Sequence, residues 1–213
     1  MGLEANRKKS LLYCVSGSIA AATNSVLLLQ LLVERRLFED IFVALSDAAL
    51  KFVREEPFAV LAKRKCITDI FADAREGVAA HVTAANQCDL ALVAPASADL
   101  IAKLANGICD DTITNMLSVF KGTCVLAPAA HPTTSRKPHF TRNLNQLVED
   151  GYLLCGPVSG YSMSEGRRAA DVPAMPPPET IAAFIEHIVI TGQPPVIEFG
   201  YQAFAVRVSD SEQ

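Results

Sequence analysis

Leu11-Leu12-Tyr13-Cys14-Val15-Ser16-Gly17-Ser18-Ile19-Ala20-Ala21 is an apolar run that breaks on a serine-glycine-serine turn and resumes with helical spacing. Consecutive apolar residues of this kind suit a strand buried on both faces, as in a parallel sheet covered by helices on either side. The pattern recurs downstream. Ile41 to Leu45, Leu90 to Ala94 and Thr123 to Ala127 read as further buried strands. Helical spacing occupies Ser18 to Arg36, Ala48 to Arg54, Val78 to Asn86, Asp99 to Asn106, Asp111 to Phe120, Phe140 to Asp150 and Glu179 to Ile190. This alternation predicts right-handed crossovers and a single-domain α/β fold, a doubly wound parallel sheet of Rossmann-like type.

The periodicity stops at Gly156. Between Gly156 and Pro178, 3 glycines and 5 prolines accompany small polar residues, which predicts a long loop of the kind that serves as a lid. The main domain is expected over 1–192, with 193–213 as a C-terminal tail. Within that tail Val196 to Val208 reads either as a strand or as a partner-binding segment.

The chain has 213 residues, half of them hydrophobic, and a formal charge of -4. That is enough to bury one substantial core and gives no basic footprint for nucleic acid. Arg7-Lys8-Lys9 followed by apolar residues and Ala20-Ala21-Ala22 imitates a secretory signal, but cleavage after Ala22 would remove the first strand. Asn6 stands where myristoylation calls for Ser or Thr. No stretch approaches an uninterrupted membrane span, so a cytoplasmic protein is expected. Cys14, Cys66, Cys88, Cys109, Cys124 and Cys155 form no CxxC pair, and His81, His131, His139 and His187 lack zinc-ligand spacing. Buried free thiols and no structural metal are expected.

A strand that ends in Ser16-Gly17-Ser18 at a helix N-terminus offers backbone N–H groups, hydroxyls and the positive end of the helix dipole to one phosphate. A single Gly17 does not meet GxGxxG, so no dinucleotide is indicated. Two readings stay open for Ser18: a phosphate ligand, or an ordinary N-cap behind a glycine turn. Ser46, closing the second strand before Asp47, carries the same pair of readings.

Ala94-Pro95-Ala96-Ser97-Ala98-Asp99 and the following Ile101-Ala102-Lys103-Leu104-Ala105-Asn106-Gly107-Ile108-Cys109-Asp110-Asp111 resemble the PASANT motif and helix of the homo-oligomeric flavin-containing cysteine decarboxylases. That family includes lantibiotic-type peptidyl-cysteine decarboxylases and phosphopantothenoylcysteine decarboxylase. The likeness runs from the Ser-Gly-Ser-Ile-Ala loop to about Arg168. It implies a flavoprotein binding FMN, with Ser16, Gly17, Ser18, Ser46, Ser97 and Ala98 as cofactor contacts. Short side chains suit the close approach of a planar ring. It implies His81, one helix and one strand before the motif, as the catalytic base; from its chemistry alone a surface or capping histidine is an equal reading.

Two departures stand out. Asp99 and Leu100 replace the asparagine and threonine of the motif, and Pro128-Ala129-Ala130-His131-Pro132-Thr133-Thr134-Ser135 stands for the family's PxMNxxMW, with His131 in place of its asparagine. An imidazole N–H can replace an amide donor to a carboxylate. Gly160-Tyr161-Ser162-Met163-Ser164-Glu165-Gly166-Arg167-Arg168 resembles the flexible substrate clamp without the cysteine that phosphopantothenoylcysteine decarboxylases use there to reduce an enethiol intermediate. The resemblance therefore implies oxidative decarboxylation of a peptide's C-terminal cysteine to an aminoenethiol, in the making of a ribosomal modified peptide. Asp99, His131, Met163, Arg167 and Arg168 are its substrate-binding candidates; for the two arginines a solvated loop charge is an equal reading. The implied partners are a precursor peptide ending in cysteine and copies of the chain itself, as trimer or dodecamer. The alternatives are phosphopantothenoylcysteine decarboxylation in coenzyme A synthesis and a non-catalytic flavoprotein regulatory subunit.

Overall fold

In the computed structural model, residues 9–72, 79–162 and 166–195 are described. Strands β1 (Lys9–Val15), β2 (Phe38–Leu45), β3 (Leu90–Ser97), β4 (Thr123–Ala129) and β5 (Leu153–Leu154) form one parallel sheet in the order β2-β1-β3-β4-β5. The first four are the strands expected from the apolar runs. β5 is too short to show a period; it was found by pairing Leu153 and Leu154 with Val125 and Leu126.

Alternation along each strand divides the core into two faces. Leu11, Tyr13 and Val15 point with Val43, Leu92 and Val125 toward α1 (Val26–Glu34) and α8 (Pro178–Thr191). Leu12 and Cys14 point with Ala44, Val93 and Leu126 toward α3 (Ala80–Gln87), α5 (Thr112–Val119) and α7 (Pro138–Glu149). Both faces are dry, which is why the strand runs are continuously apolar. Each fully buried leucine, among them Leu11, Leu12, Leu28 and Leu92, is worth about 1.5–3 kcal/mol. Arg35, the residue that closes α1, pairs with Glu186 within α8.

Two expectations are corrected. The helix expected over Ala48 to Arg54 is a single 3-10 turn, Ala49–Lys51, and the α-helix comes later, as α2 (Glu56–Ala62). Pro57 explains the shift, since proline suits a first turn but would break a helix running through it. The segment Gly156 to Pro178, expected as an irregular loop, contains antiparallel strands β6 (Val158–Ser162) and β7 (Arg167–Ala174). Pro173 hid this pattern; it sits opposite Ser159, beside a register shift, where a two-stranded ribbon tolerates a missing donor. Among the described residues two further α-helices are α4 (Ala98–Ala105) and the short α6 (Pro132–Ser135).

Five of the six cysteines are buried and all are free, with Cys109 exposed. Burial pushes the Cys66 thiol up to about 11 and those of Cys88 and Cys155 to about 12, so these groups stay protonated and inert near neutrality. Among the described residues no helix is long and apolar enough to cross a membrane, and no three His, Cys, Asp or Glu side chains gather as a metal site.

Candidate active site

Parallel strands end together, and their loops crowd one edge of the sheet, where open α/β folds bind ligands. At that edge the backbone ladder between β1 and β3 stops at the pair Cys14 and Val93. Side chains and two amides take over. The Ser16 N–H donates to Pro95 O at 3.3 Å, the Ser16 hydroxyl donates to the same oxygen at 2.7 Å, and its Oγ accepts the Ser97 N–H at 2.8 Å. The fully buried Tyr13 hydroxyl has one proton for two carbonyls, Ala94 O at 2.9 Å and Ser25 O at 3.1 Å. Burial above all raises the Tyr13 phenol far above its usual range, so it remains a donor.

The other serines are used differently. Ser18 Oγ accepts from Ala20 N at 3.3 Å, Ser46 Oγ from Ala49 N at 3.1 Å and Ser97 Oγ from Leu100 N at 3.2 Å. Ser97 is the N-cap of α4, whereas Ser18 and Ser46 close local turns ahead of the next helical segment; each accepts through Oγ and keeps its hydroxyl proton to donate, so these local bonds are compatible with a ligand role. Gly17 brings two of these loops together. A Cβ there would lie 2.4 Å from Ala48 Cβ, closer than real atoms approach, so only glycine lets the first loop close onto the second. Among the described residues no hydrogen bond takes up the N–H groups of Gly17, Ser18 and Ile19. Hydroxyls and amide donors around a glycine at a helix start fit one phosphate.

His81 is the second residue of α3, a crossover helix that runs antiparallel to the strands, so its N-terminus stands at this same edge. His81 Nδ1 is buried and has no hydrogen-bond partner. Orphaned buried polar atoms are uncommon, and Ser25 Oγ is the other such side-chain atom among the described residues.

Asp99 lies in the first turn of α4, after Ala98, with its side chain 75% exposed. Strand register puts Ser97 beside Ala129, so Asp99 and His131 each follow two residues beyond a paired position. His131 caps α6, with Nδ1 accepting from Thr133 N at 3.1 Å. That bond makes Nε2 the nitrogen carrying the proton. Strand β7, which contains Arg167 and Arg168, lies against α6 and the end of β4. Met163 lies outside the described residues.

Three features escaped sequence reading. Ala48 carries no signal at all, since its importance is a contact with Gly17. Tyr13 looked like one more core residue. Lys103 did carry a signal, its i,i+4 spacing from Asp99. Its ammonium lies 2.9 Å from Asp110, 3.3 Å from Asp111 and 3.4 Å from Asp99, and the hydrogen bond to Asp110 leads the effects that hold it well above the usual lysine range.

This architecture has known relatives. The family model described as Flavoprotein matches residues 3–189. The coenzyme A biosynthesis bifunctional protein CoaBC of Bacillus subtilis is 35% identical over 153 residues, covering 72% of this chain and 37% of that protein. Its counterpart in Vibrio cholerae is 32% identical over 155 residues, 71% of this chain and again 37% of the relative. The chain thus spans little more than a third of these relatives. Among solved structures, the FMN-dependent cysteine decarboxylase TvaF from thioviridamide biosynthesis matches with a TM-score of 0.65 and 29% identity, over 71% of this chain and 91% of that one. The FMN-dependent cysteine decarboxylase SpaF matches with a TM-score of 0.69 and 25% identity, over 83% and 94%. With a family match over most of its length and a fold shared with these structures, the chain belongs to the FMN-binding flavoprotein family of cysteine decarboxylases and their CoaBC relatives.

Proposed function

We propose that this chain carries out FMN-dependent oxidative decarboxylation of a peptide's C-terminal cysteine, giving a peptidyl aminoenethiol and carbon dioxide. The observation that carries the peptide reading is the absence of a thiol from the hairpin. No cysteine occurs after Cys155, and Cys155 itself is fully buried with its thiol raised to about 12. A site without that thiol releases the enethiol unreduced, the product a peptide-modifying enzyme needs.

Ser18, Ser46 and the N–H groups around Gly17 hold the FMN phosphate, while Ser97, Ala98 and the segment leading to them lie along the ring. FMN, when bound, supplies a two-electron acceptor for the substrate's Cβ hydride. His81 takes the thiol proton, and its unpartnered Nδ1 supports a role that is completed by an incoming group. His131, with its proton on Nε2, donates to the substrate carboxylate and orients it until it leaves as carbon dioxide. Asp99 and the hairpin, including Met163, Arg167 and Arg168, position the peptide. The working protein is a cytoplasmic homo-oligomer in which His81 approaches the flavin of a neighbouring copy.

The CoaBC relatives favour a second reading, decarboxylation of phosphopantothenoylcysteine with reduction of the intermediate. Incubating flavin-loaded protein with peptides ending in cysteine separates the two. A product lighter by one carbon dioxide and two hydrogens is expected. Loss of carbon dioxide alone, or turnover of the pantothenoyl substrate with peptides untouched, would give the second reading the site.

A further inference from the structure

The end of β3 is poorly supported by its own sheet. Its pairing with β1 stops at Val93, and its pairing with β4 shifts register between Val93 and Ala96. Pro95 and Pro128, on adjacent strands here, offer no backbone donor. Yet Ala94, Ala96 and Ser97 are nine-tenths or more buried, and the segment leads straight into the cap of α4. Pairing with β4 resumes only at Ala96 and Ser97, so the contacts of Ser16 and Tyr13 add to a thin ladder.

We infer that Ser16 and Tyr13 are positioning residues that fix the 94–97 segment against the phosphate loop, and that Ser16 is not itself a phosphate ligand. Ser16 has spent both hydroxyl functions, donating to Pro95 O and accepting from Ser97 N, and is only 2% exposed. Three bonds from one residue therefore span β1 to the two ends of a three-residue stretch of β3. Tyr13 adds a fourth, one residue earlier, at Ala94 O, and its other acceptor, Ser25 O, belongs to a π-turn (Ala21–Ser25) in the helix that the phosphate loop starts. The Ser16 hydroxyl thus ties the loop to the 94–97 segment, and the single Tyr13 proton, shared between Ala94 O and Ser25 O, links that segment to the helix behind the loop. A cofactor gripped at its phosphate by one of these parts and along its ring by another would be held at a fixed distance between grips. Ser18 and Ser46, whose hydroxyl protons remain to donate, are the side chains for the phosphate.

This inference rests on the proposed reading that the Ser16–Ser18 loop takes the phosphate and the 94–98 segment the ring. Riboflavin, which lacks the phosphate, separates the two grips. The test measures dissociation constants of FMN and riboflavin, with visible-range circular dichroism of the bound flavin, for wild type, Ser16→Ala, Tyr13→Phe and Ser18→Ala. Ser16→Ala and Tyr13→Phe are each expected to weaken both ligands by a common factor of roughly ten and to alter the flavin dichroism, leaving the FMN-to-riboflavin preference intact. Ser18→Ala is expected to weaken FMN alone. A preference that collapses in Ser16→Ala makes Ser16 a phosphate ligand and overturns the inference. So does an unchanged affinity for both flavins with unchanged dichroism in the two positioning variants, since a bond serving stability alone would lower only the melting temperature. Tyr13→Phe keeps the buried ring and removes one oxygen, so it decides the matter should Ser16→Ala not fold. If Ser18→Ala leaves the preference untouched, it is the phosphate-loop reading that fails, a result distinguishable from failure of the positioning role.

Discussion

The two halves of the sheet's carboxyl edge are built on opposite plans. On the side of β1, β2 and β3, the polar groups are sunk into the protein: Ser16, Ser46 and Ser97 are 2%, 7% and 9% exposed, and every one is already bonded to backbone. On the side of α4 and α6, Asp99 and His131 are exposed, and the adjoining β6–β7 ribbon is a separate two-stranded sheet. The first half is fixed before any ligand arrives, as a cofactor held through many turnovers requires. The second half is where the proposed reading puts the substrate. His81, at the start of α3, belongs to neither half.

If that division is right, chemistry and flavin binding come apart under mutation. His81→Asn should lower turnover by about 10²–10⁴-fold while flavin affinity stays within twofold or so of wild type. Stopped-flow reduction of bound flavin by a cysteine-ended peptide, set beside a flavin titration, measures both. Equal loss in the two would place His81 in the flavin-holding half, and unchanged turnover would make it a helix-end residue.

The complementary break is at Gly17. Gly17→Asp should weaken FMN about a hundredfold or more, because its Cβ would meet Ala48 at 2.4 Å and its carboxylate would repel the phosphate. Gly17→Ala carries the collision without the charge. Flavin fluorescence titration of the pair divides steric from electrostatic cost, and an alanine variant that binds FMN like wild type would show that the loops can part without harm.

The same division marks what sequence could and could not foretell. Strands β1 to β4 were legible because both faces of the sheet are covered, which forces unbroken apolar runs such as Leu11 to Val15. The ribbon was not, because Pro173, Gly160 and Gly166 erase the alternation a strand ordinarily shows. In the site, serines at strand ends were legible as a class, but their separate tasks were not: the acceptor of the Ser16 hydroxyl lies 79 residues away, a fact of the fold alone. Ser18, Ser46 and Ser97 bond within three residues of themselves, so a local bond was readable in place, though only Ser97 proves to be a helix N-cap.

On the exposed half the effects should be smaller. His131→Asn keeps both a cap for α6 and an N–H donor, so turnover should stay within about tenfold of wild type. His131→Leu loses both and should cost about 0.5–2 kcal/mol of stability by loss of the cap. Its turnover should fall below that of His131→Asn, with KM for the peptide rising more than flavin affinity changes. Peptide kinetics and thermal melts of the two variants test this; a leucine variant as active as the asparagine one would remove His131 from carboxylate binding.

The smallest effect expected is at Lys103, and it asks whether the exposed half is held at all. Lys103 meets three carboxylates, but they differ in setting: the side chains of Asp99 and Asp110 are 75% and 57% exposed, while that of Asp111 is 21% exposed and also caps α5 through Thr114 N. Solvent screens the first two, and an exposed pair is typically worth about 0–1 kcal/mol. Lys103→Met should therefore cost roughly 1 kcal/mol, mostly through Asp111, and Asp99→Asn should change stability by less than about 0.5 kcal/mol. Because the fold raises the affinity of Lys103 for its proton, its contribution is fully present below the unfolded lysine value of about 10.4 and is lost only as pH rises through the higher folded value. Chemical denaturation at pH 7 in low and high salt, with a double-mutant cycle for Lys103 and Asp99, measures the coupling. A value near zero leaves Asp99 able to turn toward substrate, as the proposed peptide-positioning role requires. A coupling well above 1 kcal/mol would mean that Asp99 is locked to Lys103 as firmly as Ser16 is to Pro95, and the contrast between the two halves would not survive it.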